Sequence, residues 1–551
     1  MSISSTSTNR SKSLGDPNSR YESLKGLWRT SRALLNGQNQ AKALDTQVDA
    51  RNNILLPFSP TMSQEQYDFY KAEAELPGLT AQYAKVLTSG LLRKKPLLEL
   101  PDDAPEGAKE WLENQFTSDN QSMLSFLDEA IWEEMQTSRA WVYVDYPTVP
   151  NMDALSVEEQ KMLRPYPVII PAESVINWKT SQHPLTREIT LTRLLTRSYQ
   201  ANHDNNPWHP DYIDTVFDHY ISPVDGLFYI DVYEKNSDQG ENVDFINGVA
   251  QQDYNVTGGG NASDNQWKKV RTIDALFINN ERMTEIPCYP LNGSINGIEP
   301  MLMPLVDREV ALYNKVSRRN HLLLGAATYT PVISSDMSDD RFEEIVDAGL
   351  GSWVRIDQGD TVSSFEAPSK ALRDMENAIS STISEMARMG IRMLSPDNGS
   401  GRDSGAALEI RNAGQTAILA SLNAKISQQM KKIIVIMMNW RYDTNYNIND
   451  INFTLTPDLN PAPLGSDWIR LVTEWYQTGI IPRSTFLDIA KSNDILPTDY
   501  DDERGIGEIK DDDLIINPNL DLDTSSMEDL VRDQVNAGDK KDEEEEDKSG
   551  T

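Results

Sequence analysis

The period of the hydrophobic positions changes several times along the chain. Apolar residues three and four apart predict helices over 21–35 (Leu24, Leu27, Trp28, Leu34), 63–75 (Tyr67, Tyr70, Ala74), 79–92 and 121–134 (Met123, Phe126, Leu127, Ala130, Ile131). Ser63 is placed to cap the second of these. From Trp141 the pattern turns to β-branched and aromatic runs, which predict strands over 141–144, 166–170, 189–195, 212–220, 228–233 and 272–277. Asn- and Gly-rich stretches at 236–244 and 258–260 separate strands as surface loops. Ser156, with Glu159 three residues on, forms a capping-box pattern for a short helix.

After Pro290 the helical period returns and dominates. Residues 298–324 read as a long helix with Pro300 and Pro304 near its start, where proline is tolerated, and Gly325 placed to end it. A compact α/β piece follows, with a strand over 329–333, a helix capped by Ser338, and strands over 353–356 and 361–365. From Ser369 a second long helix carries Leu372, Met375, Ile379, Thr382, Ile383, Met386, Met389 and Met393 on one side. Its other side carries Lys370, Arg373, Glu376, Asn377, Ser380, Ser384, Arg388 and Arg392. Residues 394–405, with Pro396, Asn398, Gly399, Gly401 and Gly405, cannot continue that helix. Residues 406–440 read as one helix roughly 50 Å long. A strand over 451–455 and helices over 467–478 and 484–490 follow, so the fold class is α+β: a helical opening, a β-rich layer, then long helices.

Composition narrows the function. The 551 residues carry a net charge of −34, so the average surface repels nucleic acid and a sequence-specific DNA binder is not expected. The mean hydropathy of −0.52 suits a water-exposed surface, and no apolar run reaches the roughly 18 residues of a spanning helix. Residues 1–10 have neither the apolar core of a signal peptide nor a transit-peptide pattern, and are expected to be disordered. The acidic stretch from Asp511, ending in Glu543 to Asp547, has too little apolar surface to fold alone. Cys288 is the sole cysteine, which rules out an intrachain disulfide and a multi-cysteine zinc site.

Enzyme chemistry finds little support. His203, His209 and His219 lie near Asp204, Asp211, Asp214 and Asp218, a grouping of metal-ligand types whose spacing matches no zinc pattern. Gly258 to Gly260 lack the context of a phosphate loop, and nucleophile-elbow, Walker and His-Glu-x-x-His patterns do not occur. No catalytic residue, cofactor or metal is assigned. The expectation is a protein that is not an enzyme.

The order long helix, small α/β insert, second long helix, Gly-containing loop and very long helix resembles the core of tailed-bacteriophage portal proteins. There these elements are stem, clip, stem, tunnel loop and backbone helix. Gly297-Ile298-Glu299-Pro300 resembles the Gly-x-Ser-Pro approach to the first stem helix, with Glu299 replacing Ser, and Tyr329-Thr330-Pro331-Val332 resembles the exit into the clip. Residues 478–486, Thr-Gly-Ile-Ile-Pro-Arg-Ser-Thr-Phe, are similar to the segment that opens the final helical region. In the N-terminal half, Trp28-Arg29, Tyr67-x-x-Tyr70, Gly90 to Pro96 and Val175 to Trp178 are similar to a portal-related phage family described as a domain of unknown function. Ser138-Arg139 departs from that pattern, which has Gly-Arg before the Trp141 strand.

The resemblance implies a division into an N-terminal extension (1–20), wing (21–297), first stem helix (298–328), clip (329–368), second stem helix (369–393) and tunnel loop (394–405). A backbone helix (406–442), a strand returning to the wing (443–465), a crown-like helical region (466–519) and an acidic tail (520–551) complete it. It further implies a dodecameric ring at one capsid vertex of the virion, made in the host cytoplasm. That ring would serve as a conduit for packaging and ejecting double-stranded DNA without reading its sequence. The implied partners are the major capsid protein, the terminase large subunit, which would hydrolyse the ATP, and a head-to-tail adaptor; no membrane is involved. Tunnel-lining candidates are Arg373, Arg388, Arg392, Asp397, Asn398 and Arg402. The acids Asp336, Asp339, Asp340, Glu343 and Glu344 of the clip would meet the motor or adaptor. Read without the family, the stripe Leu372 to Met393 is ordinary core packing, and each arginine pairs with a carboxylate at helical spacing, as Glu385 with Arg388. Other functional readings are a head-tail adaptor or scaffold, or an acidic α/β hydrolase.

Overall fold

A computed structural model of the chain describes residues 14–47, 55–57, 62–147, 156, 163–202, 208, 210–235, 245–246, 249–250, 267–273, 277–278, 281–327, 330–334, 361–365, 369–389, 405–455, 466–478, 481–492 and 496. The chain divides into two compact units, residues 1–459 and 460–551. The first opens with α1 (Ser19–Leu35), α2 (Gln38–Gln47), α3 (Gln64–Glu73) and α4 (Leu79–Leu91). Caps fix two of these starts: Asn18 accepts from the Arg20 N–H at 2.9 Å, and Ser63 with Gln66 forms a reciprocal capping box. Strand β1 (Leu97–Glu99), α5 (Ala108–Asn114) and α6 (Met123–Thr137) follow, the last capped by Ser122.

Two sheets form the β-rich layer. One takes β2 (Trp141–Asp145) at its centre, flanked by β3 (Tyr166–Ile170) and, from far downstream, the strand Cys288–Pro290. The other is an antiparallel meander of β4 (Val175–Gln182), β5 (Ile189–Asn202), β6 (Asp211–Ile221), β7 (Phe228–Lys235) and, beyond two-residue strands β8 (Phe245–Ile246) and β9 (Val249–Ala250), β10 (Trp267–Ile273). The short pair β11 (Phe277–Ile278) and β12 (Glu281–Arg282) precedes β13 (Cys288–Pro290).

The meander is two-faced, as a period of two requires. Leu194, Thr196, His219, Phe228, Ile230 and Val232 turn inward to the core. The other face carries an ion-pair ladder, Arg193 to Asp218 at 2.8 Å, Arg197 to Asp214 at 2.6 Å and Lys269 to Asp231 at 2.7 Å, beside the stacked rings of Tyr220 and Tyr229. Asp214 and Asp218, which sequence spacing groups with His219, are thus engaged by arginines. His219 itself lies among the rings of Tyr143, Phe217 and Phe228, where burial lowers its pKa to about 4. His203 and His209 lie outside the described residues.

The long helices are α7 (Met303–Ala327), α8 (Ser369–Arg388) and α9 (Gly405–Tyr442); the hairpin β14 (Thr330–Ser334) and β15 (Thr361–Phe365) joins the first two. At 38 residues α9 is about 57 Å long. Among its buried residues are Ile426, Met430, Ile433, Ile434, Met437 and Met438; the helix lies against α4 and β2, and β16 (Asn452–Thr454) then pairs with β1. In the second unit α10 (Ser466–Gln477) packs on α11 (Arg483–Ser492) with Tyr476 stacked on Phe486 at 4.7 Å.

Several expectations are corrected. The first long helix starts at Met303 rather than Ile298, because Pro300 disfavours helical backbone at Glu299 and the chain turns instead, with the Met303 N–H donating to the Pro300 carbonyl at 2.9 Å. Gly325 falls in its last turn, and the helix runs two residues further, to Ala327. Strand β5 runs seven residues past 195, held by pairing with β6 out to Asn202. α2, α5, β1, β4 and β13 were not expected; β1 and β13 are three-residue strands whose partners are distant in sequence, and the outer half of β4 is polar and exposed. The helix at Ser338, the strand at 353–356 and the helix at Ser156 fall outside the described residues, apart from Ser156 itself. Among the described residues no helix is long and apolar enough to cross a membrane.

Candidate functional site

α7 and α8 form an antiparallel pair closed by β14 and β15. Leu305, Val306, Glu309, Leu312, Tyr313, Val316 and Ser317 are buried on α7, and Ile379, Thr382 and Met386 on α8. Two polar contacts cross the pair: Lys315 donates to the Thr382 hydroxyl at 2.5 Å, and Arg308 lies 3.4 Å from Glu385. Glu385 therefore pairs across to α7 and not along α8 to Arg388. Arg373 and Arg388 are exposed and make no ion pair among the described residues.

The buried stripe of α8 is narrower than its sequence suggests. Ile383 and Met389 stand 42% and 45% exposed, and on α7 Leu323 stands 42% exposed. A single partner helix covers only one arc of α8, so apolar residues beside that arc stay in water. Of the remaining tunnel and clip candidates, Arg392, Asp397, Asn398, Arg402, Asp336, Asp339, Asp340, Glu343 and Glu344 lie outside the described residues, as does Met393.

The root of the pair is set by buried polar groups. Glu309 of α7 is fully buried and caps α4 from outside: its carboxylate accepts from the backbone N–H groups of Gly78 (2.8 Å), Leu79 (3.3 Å) and Thr80 (3.0 Å) and from the Thr80 hydroxyl (3.1 Å). A carboxylate at a helix N-terminus meets both unpaired N–H groups and the positive end of the dipole. Ahead of α7, Ser138 ends α6 in a left-handed conformation (φ +51). Its hydroxyl accepts from the Met301 N–H at 2.8 Å, and its carbonyl accepts from Asn292 at 2.6 Å. Asn292 also donates to Glu134 at 2.9 Å, whose other oxygen accepts from the Ala140 N–H at 2.9 Å. Burial pushes the Glu134 carboxyl up to about 8.

Beside this knot Arg139 is fully buried. Its guanidinium finds no hydrogen-bond acceptor among the described residues and lies instead over the rings of Trp178 (4.0 Å), Trp28 (5.5 Å) and Trp141 (5.7 Å). Gly297 presses on this cage. Its φ is +72, and a Cβ there would meet Arg139 Cδ and Leu24 Cδ1 at 3.2 Å, so the glycine of the Gly297 to Pro300 segment is required by both conformation and space. The departure at Ser138 also has its reason: glycine would take the left-handed turn at less cost, but serine alone supplies the acceptor for Met301. Sequence reading missed Glu309 and met Arg139 only as part of the Ser138-Arg139 motif, without its buried role; a lone charge inside an apolar pattern was the available signal.

Residues 301–441 match the family described as a domain of unknown function, DUF4055. The match spans α7, the β14–β15 hairpin, α8 and nearly all of α9. No curated protein sequence matches the chain. Among solved structures, a chain of the virion of a native gene transfer agent particle is similar at 8% identity and a TM-score of 0.37, covering 81% of this chain and 96% of that one. Chains from the neck of the empty particle (10% identity, 73% and 87% covered, TM-score 0.34) and of the native particle (10%, 78% and 94%, 0.33) are also similar. At these values the likeness is distant.

Proposed function

We propose that the chain is a portal subunit: a ring-forming head-to-tail protein whose paired long helices line a passage for double-stranded DNA. The observation that carries this reading is the α7–α8 pair itself. Among the described residues, cations Arg373 and Arg388 make no ion pair, and apolar Ile383, Met389 and Leu323 stand in water on the same helix pair. Neighbouring copies around a ring would cover the apolar residues, while the cations face the axis. A conduit must let DNA slide, and each neutralised phosphate adds counterion-release affinity. Sparse arginines on a chain of charge −34 guide without gripping. In this reading the ring has twelve copies and sits at one vertex. The shell protein surrounds its wing, and a separate packaging motor, then an adaptor, meets the region between β14 and β15.

Electron microscopy of the purified full-length protein tests the ring: annular particles with a central hole are expected. Failure to form rings even with the shell protein present, together with absence of the chain from particles, would overturn the proposal. Shortening residues 394–405 is expected to leave rings intact and lower packaged genome content; unchanged content would sink the tunnel-loop role.

A further inference from the structure

Three Asn-Gly pairs fall among the described residues, Asn36-Gly37, Asn292-Gly293 and Asn296-Gly297, and in each the glycine is left-handed, at φ +97, +76 and +72. Asn-Gly is the pair in which a backbone nitrogen most readily attacks the preceding side-chain amide, because a residue without Cβ puts nothing in the way of the ring that forms. The fold surrounds the three pairs very differently.

Asn292 is sealed. It is 6% exposed, its Nδ2 donates to Glu134 and to the Ser138 carbonyl, and its Oδ1 accepts from the Ser294 N–H. The Gly293 N–H, which would have to give up its proton, is held by the Pro290 carbonyl at 2.9 Å. Asn36 is half-buried at the end of α1; its Nδ2 donates to Gln136 at 2.9 Å, and no donor meets its Oδ1 among the described residues.

Asn296 is exposed, so water reaches it, and the Gly297 N–H makes only a long contact to the Ser294 carbonyl, at 3.4 Å. Asn296 Oδ1 accepts from Trp178 Nε1 at 3.1 Å. That donor stands where negative charge develops on the oxygen once the amide carbon is attacked. Behind it the Arg139 guanidinium lies 4.0 Å from the Trp178 ring, and Arg20 Nη2 reaches the Gly297 carbonyl at 3.5 Å. Two positive charges therefore flank the attacking nitrogen and the attacked amide. The same corner is short of negative charge: no Arg139 nitrogen finds an acceptor among the described residues, and burial pulls its pKa down to about 9.

We propose that Asn296 is a modification site, where the Gly297 nitrogen displaces the side-chain amide and the acid that results becomes the counter-charge of Arg139. The Gly297 nitrogen bonds to Asn296 Cγ, the Cγ–Nδ2 bond breaks, and ammonia leaves with the proton from that nitrogen. A five-membered succinimide remains. Water then opens it at either carbonyl, leaving aspartate in an unchanged main chain or isoaspartate in a main chain longer by a methylene. Either way an uncharged amide becomes a carboxylate, with water as the sole co-reactant. The change does not run back, so it accumulates with the age of the folded chain, in the segment that leads through the Met301–Ser138 contact into α7. The inference goes beyond the proposed conduit and does not rest on it.

The test holds freshly purified full-length protein in mildly alkaline buffer, folded or in urea, and maps its peptides by mass spectrometry at intervals. In the folded protein, position 296 is expected to show the amide-to-acid mass change about tenfold sooner than 36 or 292, with isoaspartate among the products. In urea the three sites should react at similar rates, because each Asn-Gly pair is then free of its surroundings. Trp178→Phe keeps an aromatic ring and removes the N–H, and should slow the folded-state reaction at 296 about tenfold. Asn296→Asp, which installs the counter-charge directly, should unfold at a higher urea concentration than the parent. An Asn296 that stays intact in the folded protein while reacting in urea, or that reacts no faster than 36 and 292, would overturn the proposal. An unchanged rate in Trp178→Phe would overturn the part assigned to Trp178, and a lower midpoint in Asn296→Asp the part assigned to Arg139. None of these readings depends on ring formation, so failure of the conduit proposal stays distinct from failure of this one.

Discussion

The root of the α7–α8 pair and its outer surface are built on opposite principles. At the root, Glu309, Glu134, Asn292 and Ser138 are buried, and each has named hydrogen-bond partners. Along the surface, Arg373 and Arg388 have no ion-pair partner among the described residues, and the Arg308–Glu385 contact is half exposed. Buried polar groups whose partners are lost cost their full desolvation, whereas exposed charges exchange one partner for water at little cost. Stability and helix placement should therefore reside at the root. The surface is left free for whatever passes or packs against it.

The largest expected effect is at Glu309. Glu309→Ala strands three backbone N–H groups and leaves the Thr80 hydroxyl only the Leu305 carbonyl at 3.3 Å, and about 3 kcal/mol of stability should be lost in urea denaturation. Ser138→Ala removes the acceptor for Met301 while keeping the strained backbone, and should cost about 2 kcal/mol. Ser138→Gly loses the same acceptor but relieves the turn, and should cost about 1 kcal/mol less than alanine. Equal losses for the two variants would separate the turn from the strain argument.

Glu134 gives a pH signature. Its carboxyl is held up at about 8 in the folded protein against an ordinary value of 4.5, so between those values the folded state carries a proton that the unfolded state has lost. Its contribution is therefore fully present below about pH 4.5 and is lost as pH rises toward 8, at up to about 1.4 kcal/mol per pH unit. Glu134→Gln, neutral throughout, should flatten that slope when denaturation midpoints are compared from pH 5 to 8. A slope that survives the substitution would place the titration elsewhere.

The smallest effects belong to the surface. Glu385→Ala should change stability by no more than about 0.5 kcal/mol, and Arg373→Gln with Arg388→Gln should leave the melting temperature unchanged. Any larger loss from these surface changes would break the contrast between root and surface. In assembled particles, the double arginine variant is instead expected to alter genome content, measured as DNA per particle.

Much of the helical half could be read from spacing. The edges of α3, α6, β15 and α9 fall within a few residues of where periodicity and capping residues put them, because those signals are local. Where local signals mislead, a longer-range contact decides: Glu309 reaches back 229 residues to Thr80, and Asn292 ties the approach to α7 to the end of α6. The stripe on α8 was visible in sequence, but which part of it is buried depends on how many helices pack there. Burial separated Ile379 from Ile383, although both are equally apolar.

By itself the sequence determined the α+β class, the order of long helix, insert, long helix, loop and longer helix, and an acidic chain with sparse cations. These follow from period, breakers and charge, which act over one or two turns. Only the tertiary structure decided that Glu385 turns to Arg308, that Gly297 must be small to admit Arg139, and that His219 belongs to the core. Each of these depends on which distant backbone lies alongside, a property of packing that no local pattern encodes.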